Sequence, residues 1–220
     1  MNAKQIKELF LQHENKKKAL ESSAYMRNQF THFGIPAPKR RELLKPLWDK
    51  KAEPISWDFV FECWKAKERE MQYTALDYLF RKKEQLTKAD IKRIKQLAQD
   101  KPWWDTIDGM CHLVGEIVLR DATVKQIMLD WSTHNDFWLR RIAIQHQLQH
   151  KARTDTELLS TIIKNNFGQT EFFINKGIGW ALREYSKTDP AWVRQFIEDN
   201  KTKLAKLSIR EGSKHLAKGK

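Results

Sequence analysis

The sequence predicts an all-α protein built as an α-solenoid of helical repeats. Nearly every segment places apolar residues at i, i+3 and i+4, which is the spacing of one buried helix face. The chain has 220 residues but only 8 Gly and 6 Pro, too few turn residues for a protein made of short strands. Small residues also recur inside the helices at nearly constant intervals. No segment predicts a strand.

The helices can be placed in chain order from this spacing. The first amphipathic stretch begins at Ile6, and a second runs from Tyr25 to Gly34. Prolines then interrupt the pattern before a third helix over 39–48, because proline is accepted at the start of a helix but not inside it. Further helices fit residues 56–66, 69–83, 87–99, 103–119, 122–132, 136–150, 155–166, 170–186, 189–199 and 202–217.

The recurring small residues indicate repeats of two helices each. They stand at Ala75, Gly109, Ala143, Gly179 and Gly212, at intervals of 34, 34, 36 and 33 residues. A period of about 35 residues with two helices per unit is typical of an α-solenoid, in which each pair buries its apolar face against its neighbours. A plain helical bundle with coincidental spacing is the alternative.

We expect a single domain over residues 1–220. It would comprise N-terminal helices in 1–50, helical pairs in 51–217 and a frayed tail in 218–220. The chain lacks an apolar run of the roughly 20 residues that a membrane-spanning helix needs. Its N-terminus does not resemble a signal peptide. We therefore expect a cytoplasmic protein without a membrane partner.

The net charge of the chain points to a polyanionic partner. Lys and Arg exceed Asp and Glu by 13, and the pI is about 9.7. Such an excess speeds encounter with nucleic acid, acidic lipid or acidic proteins. The equivalent helices of successive repeats line one face of a solenoid, so their first turns should be neighbours. These turns carry Trp103, Trp104, Asp105, Asp108, Trp138, Arg140, Arg141, Lys176, Trp180, Arg183, Arg210 and Lys214. Cationic and aromatic side chains in a row suit a groove that follows a nucleic-acid backbone.

A carboxylate on this basic face has two interpretations. Trp104 and Asp108 share a helix face at i and i+4. Asp108 could form an internal salt bridge, most simply to Arg141 of the next repeat. It could instead be a catalytic anion near a developing positive charge. Breaking an N-glycosidic bond in DNA creates such a charge on the sugar, and indole faces attract cations. A purine alkylated at N3 or N7 is itself cationic and leaves without much help from a general acid.

His146 and His150 have a spacing that two metal ligands could use. A third ligand at a suitable position is missing, so we predict solvated polar positions instead of a metal site. Lys176 could form a Schiff base with an opened sugar, but a phosphate contact is the more economical role.

Five segments carry a family resemblance. They are GIPAPKRRELLK (34–45), WWDTID (103–108), WLRRIAI (138–144), KGIGWALREY (176–185) and LSIREGSKH (207–215). Together they resemble the bacterial AlkD-like DNA alkylation-repair glycosylases, over roughly residues 20–217. The resemblance implies HEAT-like repeats curved around duplex DNA. It also implies a monofunctional glycosylase that releases N3- and N7-alkylpurines without base flipping and without a metal or organic cofactor.

The same resemblance assigns roles to residues. It implies that Asp108 is the catalytic carboxylate, that Trp104 and Trp180 are aromatic walls against the lesion's deoxyribose, and that Arg141 contacts the DNA backbone. Tyr25 matches an aromatic position that helps to close the site. We expect further phosphate contacts from Lys39, Arg40, Arg41, Lys176, Arg183, Arg210 and Lys214.

One departure from the family pattern lies in the loop before the third helix. Pro36 and Ala37 stand where relatives carry polar residues that face the strand opposite the lesion. A module that binds modified or distorted DNA without excision is therefore an alternative function, and a protein-binding α-solenoid is another. The expected partner is double-stranded DNA containing alkylated purines. We expect a monomer without an obligate protein partner, working at the nucleoid of a bacterial cytoplasm.

Overall fold

The computed structural model describes residues 2–48 and 52–216. Within these ranges it contains thirteen α-helices and, apart from a single backbone bridge between Thr31 and Glu68, no strand. The all-α class is therefore confirmed. None of the described helices is long and apolar enough to cross a membrane. The chain divides into two compact units, Met1–Gln85 and Leu86–Lys220. The tail expected at 218–220 lies outside the described residues.

The described part of the first unit contains five α-helices. They are α1 (Ala3–Gln12), α2 (Lys16–Tyr25), α3 (Ala37–Leu44), α4 (Trp57–Lys65) and α5 (Arg69–Arg81). The amphipathic stretch predicted from Tyr25 to Gly34 is wrong, because α2 lies before it and ends at Tyr25. Arg27 and Asn28 follow with left-handed backbone, at φ 55° each. An L-residue seldom adopts this conformation inside a helix, so the chain turns here.

A buried carboxylate organises the loop that leads to α3. The backbone N–H groups of Phe33, Gly34 and Ile35 all donate to the Glu70 carboxylate, over 3.0, 2.8 and 3.2 Å. Gly34 has a φ of 79°, and a Cβ there would lie 2.2 Å from the backbone oxygen of Asn15. Only glycine accepts this φ and also leaves room for the backbone of Asn15. The loop is thus fixed at the point where the basic helix α3 begins.

Up to residue 216, where the description ends, the second unit contains eight α-helices. They are α6 (Ile91–Gln99), α7 (Trp104–Arg120), α8 (Val124–Ser132), α9 (Phe137–Gln145), α10 (Thr156–Lys164), α11 (Phe172–Tyr185), α12 (Pro190–Asp199) and α13 (Lys206–Gly212). Helices α7, α9, α11 and α13 pack against one another in sequence, and α6, α8, α10 and α12 pack against this row. This is the arrangement of an α-solenoid of helical repeats, as the period predicts.

Several predicted helices of this unit are longer than those in the structure, and two of them differ most. The helix predicted over 136–150 ends at Gln145, and Gln149 and Lys151 have left-handed backbone. The helix predicted over 202–217 begins only at Lys206. Apolar spacing continues beyond these helices because the turns next to them also bury side chains. Periodicity alone therefore does not mark where a helix begins or ends.

His146 and His150 lie in the turn after α9, and the prediction that they are solvated is wrong. They are 1% and 6% exposed. His146 Nδ1 lies 2.7 Å from the carbonyl oxygen of Ala143, and the two ring centroids are 6.3 Å apart. Burial lowers the pKa of both imidazoles to about 4. No group of three His, Cys, Asp or Glu residues in the described ranges could hold a metal ion.

Gly115 is the position where α7 touches this turn, and we expect Gly115→Ala to be strongly destabilising. The added Cβ would lie 2.0 Å from the backbone oxygen of His146. A backbone atom cannot rotate away, so the overpacking should lower the free energy of unfolding by about 3 kcal/mol or more. Urea denaturation measures this loss. Gly168→Asn is the matched control, because Gly168 is exposed and left-handed, and a Cβ added there would have nothing within 4 Å. Unchanged stability of Gly115→Ala would contradict the packing described here.

Candidate active site around Asp108

Asp108 and Arg141 form a bidentate ion pair between α7 and α9. Arg141 Nε donates to Asp108 Oδ1 over 2.9 Å, and Nη2 donates to Oδ2 over 3.1 Å. Arg141 Nη1 donates to the carbonyl oxygen of Phe173 over 2.6 Å, which ties the pair to α11. The planar guanidinium therefore fixes the plane of the carboxylate. The internal salt bridge, one of the two interpretations of Asp108, is present in the structure.

The pair is asymmetric in its exposure. The Arg141 side chain is 2% exposed and that of Asp108 is 23% exposed. The negative end of the ion pair is thus the end that reaches the surface. Burial raises the pKa of the Asp108 carboxyl, although Arg141 and His112 oppose this shift by favouring the charged form. A carboxylate held in this way keeps part of its negative charge available to a ligand.

Trp180 on α11 lies beside this pair. Its ring centroid is 5.7 Å from the Arg141 guanidinium, 6.0 Å from Lys176 Nζ and 5.5 Å from the Arg183 guanidinium. The indole Nε1 is buried and has no hydrogen-bond partner among the described residues. Trp104, the first residue of α7, is half-buried and stands one turn before Asp108. The structure thus brings Asp108, Arg141 and Trp180 together as a compact group.

A second carboxylate pairs with the two cations that lie next to Trp180. The Glu211 side chain on α13 is 3% exposed. It forms salt bridges to Lys176 at 3.0 Å, Arg183 at 3.1 Å and Lys214 at 2.9 Å. Hydrogen bonds from Lys214 and Lys176 hold the pKa of Glu211 down at about 2, against the opposing effect of burial. The sequence analysis missed Glu211. Its signal is that it is the one acidic residue in the basic stretch KLSIREGSKH.

Other aromatic residues in the first turns serve packing. Trp103 and Trp138 contact the ring of Phe173, with centroids 5.4 and 4.9 Å apart, and Phe137 stacks with Phe173 at 6.4 Å. This cluster joins the starts of α7, α9 and α11. It places the Phe173 backbone where its oxygen can accept from Arg141, which sequence spacing did not reveal.

The candidate DNA contacts of the first unit differ in exposure. Arg40 is 5% exposed and donates to Asp77 from Nη2 and Nε over 2.9 and 3.2 Å. Arg41 reaches Asp77 at 3.5 Å but is 67% exposed in its side chain. Lys39 pairs with Glu42 on the surface, and Tyr25 is 72% exposed. Burial leaves little of the Arg40 guanidinium for a phosphate, so its predicted DNA contact stays a prediction.

The candidate contacts of the second unit are mostly accessible. The side chains of Lys176 and Arg183 are 26% and 27% exposed, and Arg210 and Lys214 are exposed. Arg141 is the exception, since its guanidinium donates to Asp108 and to the chain instead of facing solvent. The structure thus gives Arg141 a role in orienting Asp108. Contact of Arg141 with the DNA backbone stays a prediction.

The fold is a solenoid of helical repeats on a strongly basic chain. Its site combines a carboxylate, bound by an arginine, with a neighbouring indole. Residues 6–216 match the family model described as DNA alkylation repair enzyme. The chain belongs to the DNA alkylation repair enzyme family, as the motif resemblance predicts. A solved structure from Enterococcus faecalis, described as a predicted DNA alkylation repair enzyme, is 35% identical with a TM-score of 0.84, covering 94% of this chain and 98% of that one. No curated protein matches the chain.

Proposed function

We propose that this DNA alkylation repair protein is a monofunctional glycosylase that removes positively charged N3- and N7-alkylated purines from duplex DNA. The observation that carries this proposal is the Asp108 carboxylate, fixed by Arg141 and partly exposed beside Trp180. Membership of the family supports a role in DNA repair, and a net charge of +13 supports a DNA partner.

The proposed chemistry needs one fixed anion. As the bond between the sugar and the alkylated base breaks, the positive charge of the base passes to the sugar, and the base leaves as a neutral molecule. A carboxylate already oriented towards that sugar stabilises the charge without reorganising, an effect typically worth about 3 kcal/mol or more for one such group. Arg141 supplies the orientation. Water then adds to the sugar and releases a proton, which completes hydrolysis.

The indoles complete the site in this proposal. Trp104 and Trp180 form walls against the deoxyribose, where their ring faces favour a cationic sugar. Because the charge forms on the sugar, the base need not enter a pocket, and we propose that it stays in the helix during excision. The proposed DNA contacts are Tyr25, Lys39, Arg40, Arg41, Arg141, Lys176, Arg183, Arg210 and Lys214. The protein would act as a monomer without a cofactor.

A non-catalytic DNA-binding module is the second candidate. The observation that favours it is the engagement of both Asp108 oxygens by Arg141, which a purely structural salt bridge would also show. Release of free N7-methylguanine from methylated duplex DNA, measured by chromatography against spontaneous depurination, separates the two. Release above the spontaneous rate is expected. Salt-sensitive binding without any release would favour the binding module.

A further inference from the structure

Glu211 lies between two cations that flank Trp180. Lys176 and Arg183 are seven residues apart on α11, with Trp180 between them, and both pair with Glu211. Gly179 allows this approach, because a Cβ there would lie 2.5 Å from the Cβ of Glu211 and 3.2 Å from the backbone oxygen of Ser208. Because α11 and α13 cross closely, the buried carboxylate of Glu211 lies at the edge of the proposed site.

The pairing determines where the two cations can go. Glu211 is 3% exposed, whereas the Lys176 and Arg183 side chains are about one-quarter exposed. Their charged groups are therefore drawn inward to the carboxylate and stay within 6.0 Å of the Trp180 centroid. Long basic side chains without such a partner extend to phosphates, where each contact strengthens binding to any DNA sequence.

We propose that Glu211 is a positioning residue that holds Lys176 and Arg183 next to Trp180, where they reach only the phosphates beside the lesion, at the expense of non-specific attraction to DNA. This inference rests on the proposed glycosylase function. Without Glu211, Lys176 and Arg183 would place uncompensated positive charge close to the indole of Trp180. That charge opposes a cationic sugar at the same ring. The restraint therefore favours excision over tight binding of undamaged DNA.

Glu211→Gln tests this inference, with Glu198→Gln as the matched control. Both substitutions raise the net charge by one, but Glu198 is 68% exposed on α12 and pairs with Lys201 at the surface. The measurements are the single-turnover rate of N7-methylguanine release and the Kd for unmodified duplex at several salt concentrations. We expect Glu211→Gln to slow release by about tenfold to a hundredfold. We expect its Kd to fall, and the slope of log Kd against log salt to become steeper by about one.

The contrary results are distinct. Equal rates and equal salt slopes for Glu211→Gln and Glu198→Gln would overturn the inference. Parallel loss of rate and affinity, in step with a loss of folded protein by circular dichroism, would assign Glu211 a structural role only.

If Glu211→Gln does not fold, Glu211→Asp keeps the buried charge, but its carboxylate lies one methylene short of Lys176 and Arg183, and Glu198→Asp is its matched control. Slower release and a steeper slope in that variant support the inference, and wild-type values contradict it. If the wild-type protein releases no base, the proposed function fails. The affinity and salt slope for unmodified duplex still decide whether Glu211 restrains the two cations.

Discussion

Asp108→Asn is expected to abolish nearly all base release while the protein stays folded and bound to duplex DNA. Asparagine keeps the size of the side chain and one oxygen that can accept from Arg141. It removes the negative charge that the proposed mechanism places near the sugar. Loss of one preorganised electrostatic group typically slows an enzyme by about 10²–10³-fold, and the single-turnover rate of N7-methylguanine release measures this effect.

Asp105→Asn is the matched control for this prediction. Asp105 lies in the first turn of the same helix, so the substitution removes the same charge three residues away. We expect it to keep most of the rate and the affinity for DNA. Asp108→Asn leaves the buried Arg141 without its charged partner and should lower the melting temperature, so circular dichroism at the assay temperature must show folded protein. Full activity of folded Asp108→Asn would contradict the mechanism.

Stability is expected to fall steeply as the pH drops from about 6.5 to about 4, because His146 and His150 are buried. Their pKa is lowered from 6.5 to about 4 in the folded protein. The unfolded chain therefore binds protons in this pH range that the folded protein does not bind, so falling pH favours unfolding. Each shift corresponds to about 3 kcal/mol. The pKa of Glu211 is lowered from 4.5 to about 2, so its contribution to stability is lost only at lower pH.

Urea unfolding at a series of pH values measures this dependence. The control is the double variant His146→Asn with His150→Gln, whose amides cannot be protonated in this range and approximate the positions of the ring nitrogens. We expect the free energy of unfolding of this variant to vary much less between pH 6.5 and pH 4. An equally steep curve in the variant would show that other groups cause the acid sensitivity.

The fold was largely predictable because it depends on periodic patterns. The 3.6-residue period identified most of the helices. The spacing of Gly179 and Gly212 marked positions where an added Cβ would meet a neighbouring helix, 2.5 Å from the Cβ of Glu211 and 3.0 Å from the Cβ of Leu182. The end of α2 was missed because apolar spacing continues from Tyr25 to Phe33, and Arg27, the first residue with left-handed backbone, is not one that usually marks a turn. Asn28 accepts this backbone readily and was the signal available. Burial of His146 came from the close contact with Gly115, which depends on tertiary packing.

The candidate site was predictable only where residues follow the repeat. Asp108 and Arg141 occupy corresponding turns of successive repeats, so the period indicated that they could pair. The hydrogen bond from Arg141 to the carbonyl oxygen of Phe173 could not be predicted, because every residue has such a backbone oxygen. Glu211 stands out in the sequence only as the one acidic residue of a basic stretch. Its burial could not be predicted, because it arises only when α13 crosses α11.

Binding of a charged mimic of the transition state tests the central claim most directly, namely that Asp108 stabilises positive charge on the sugar. In one duplex a protonated nitrogen replaces the anomeric carbon of a single abasic sugar, and in the matched duplex the ring is uncharged. The wild-type protein is predicted to bind the charged duplex at least about tenfold more tightly than the uncharged one. Asp108→Asn should lose most of that preference. Equal affinity of the wild-type protein for both duplexes would contradict the claim.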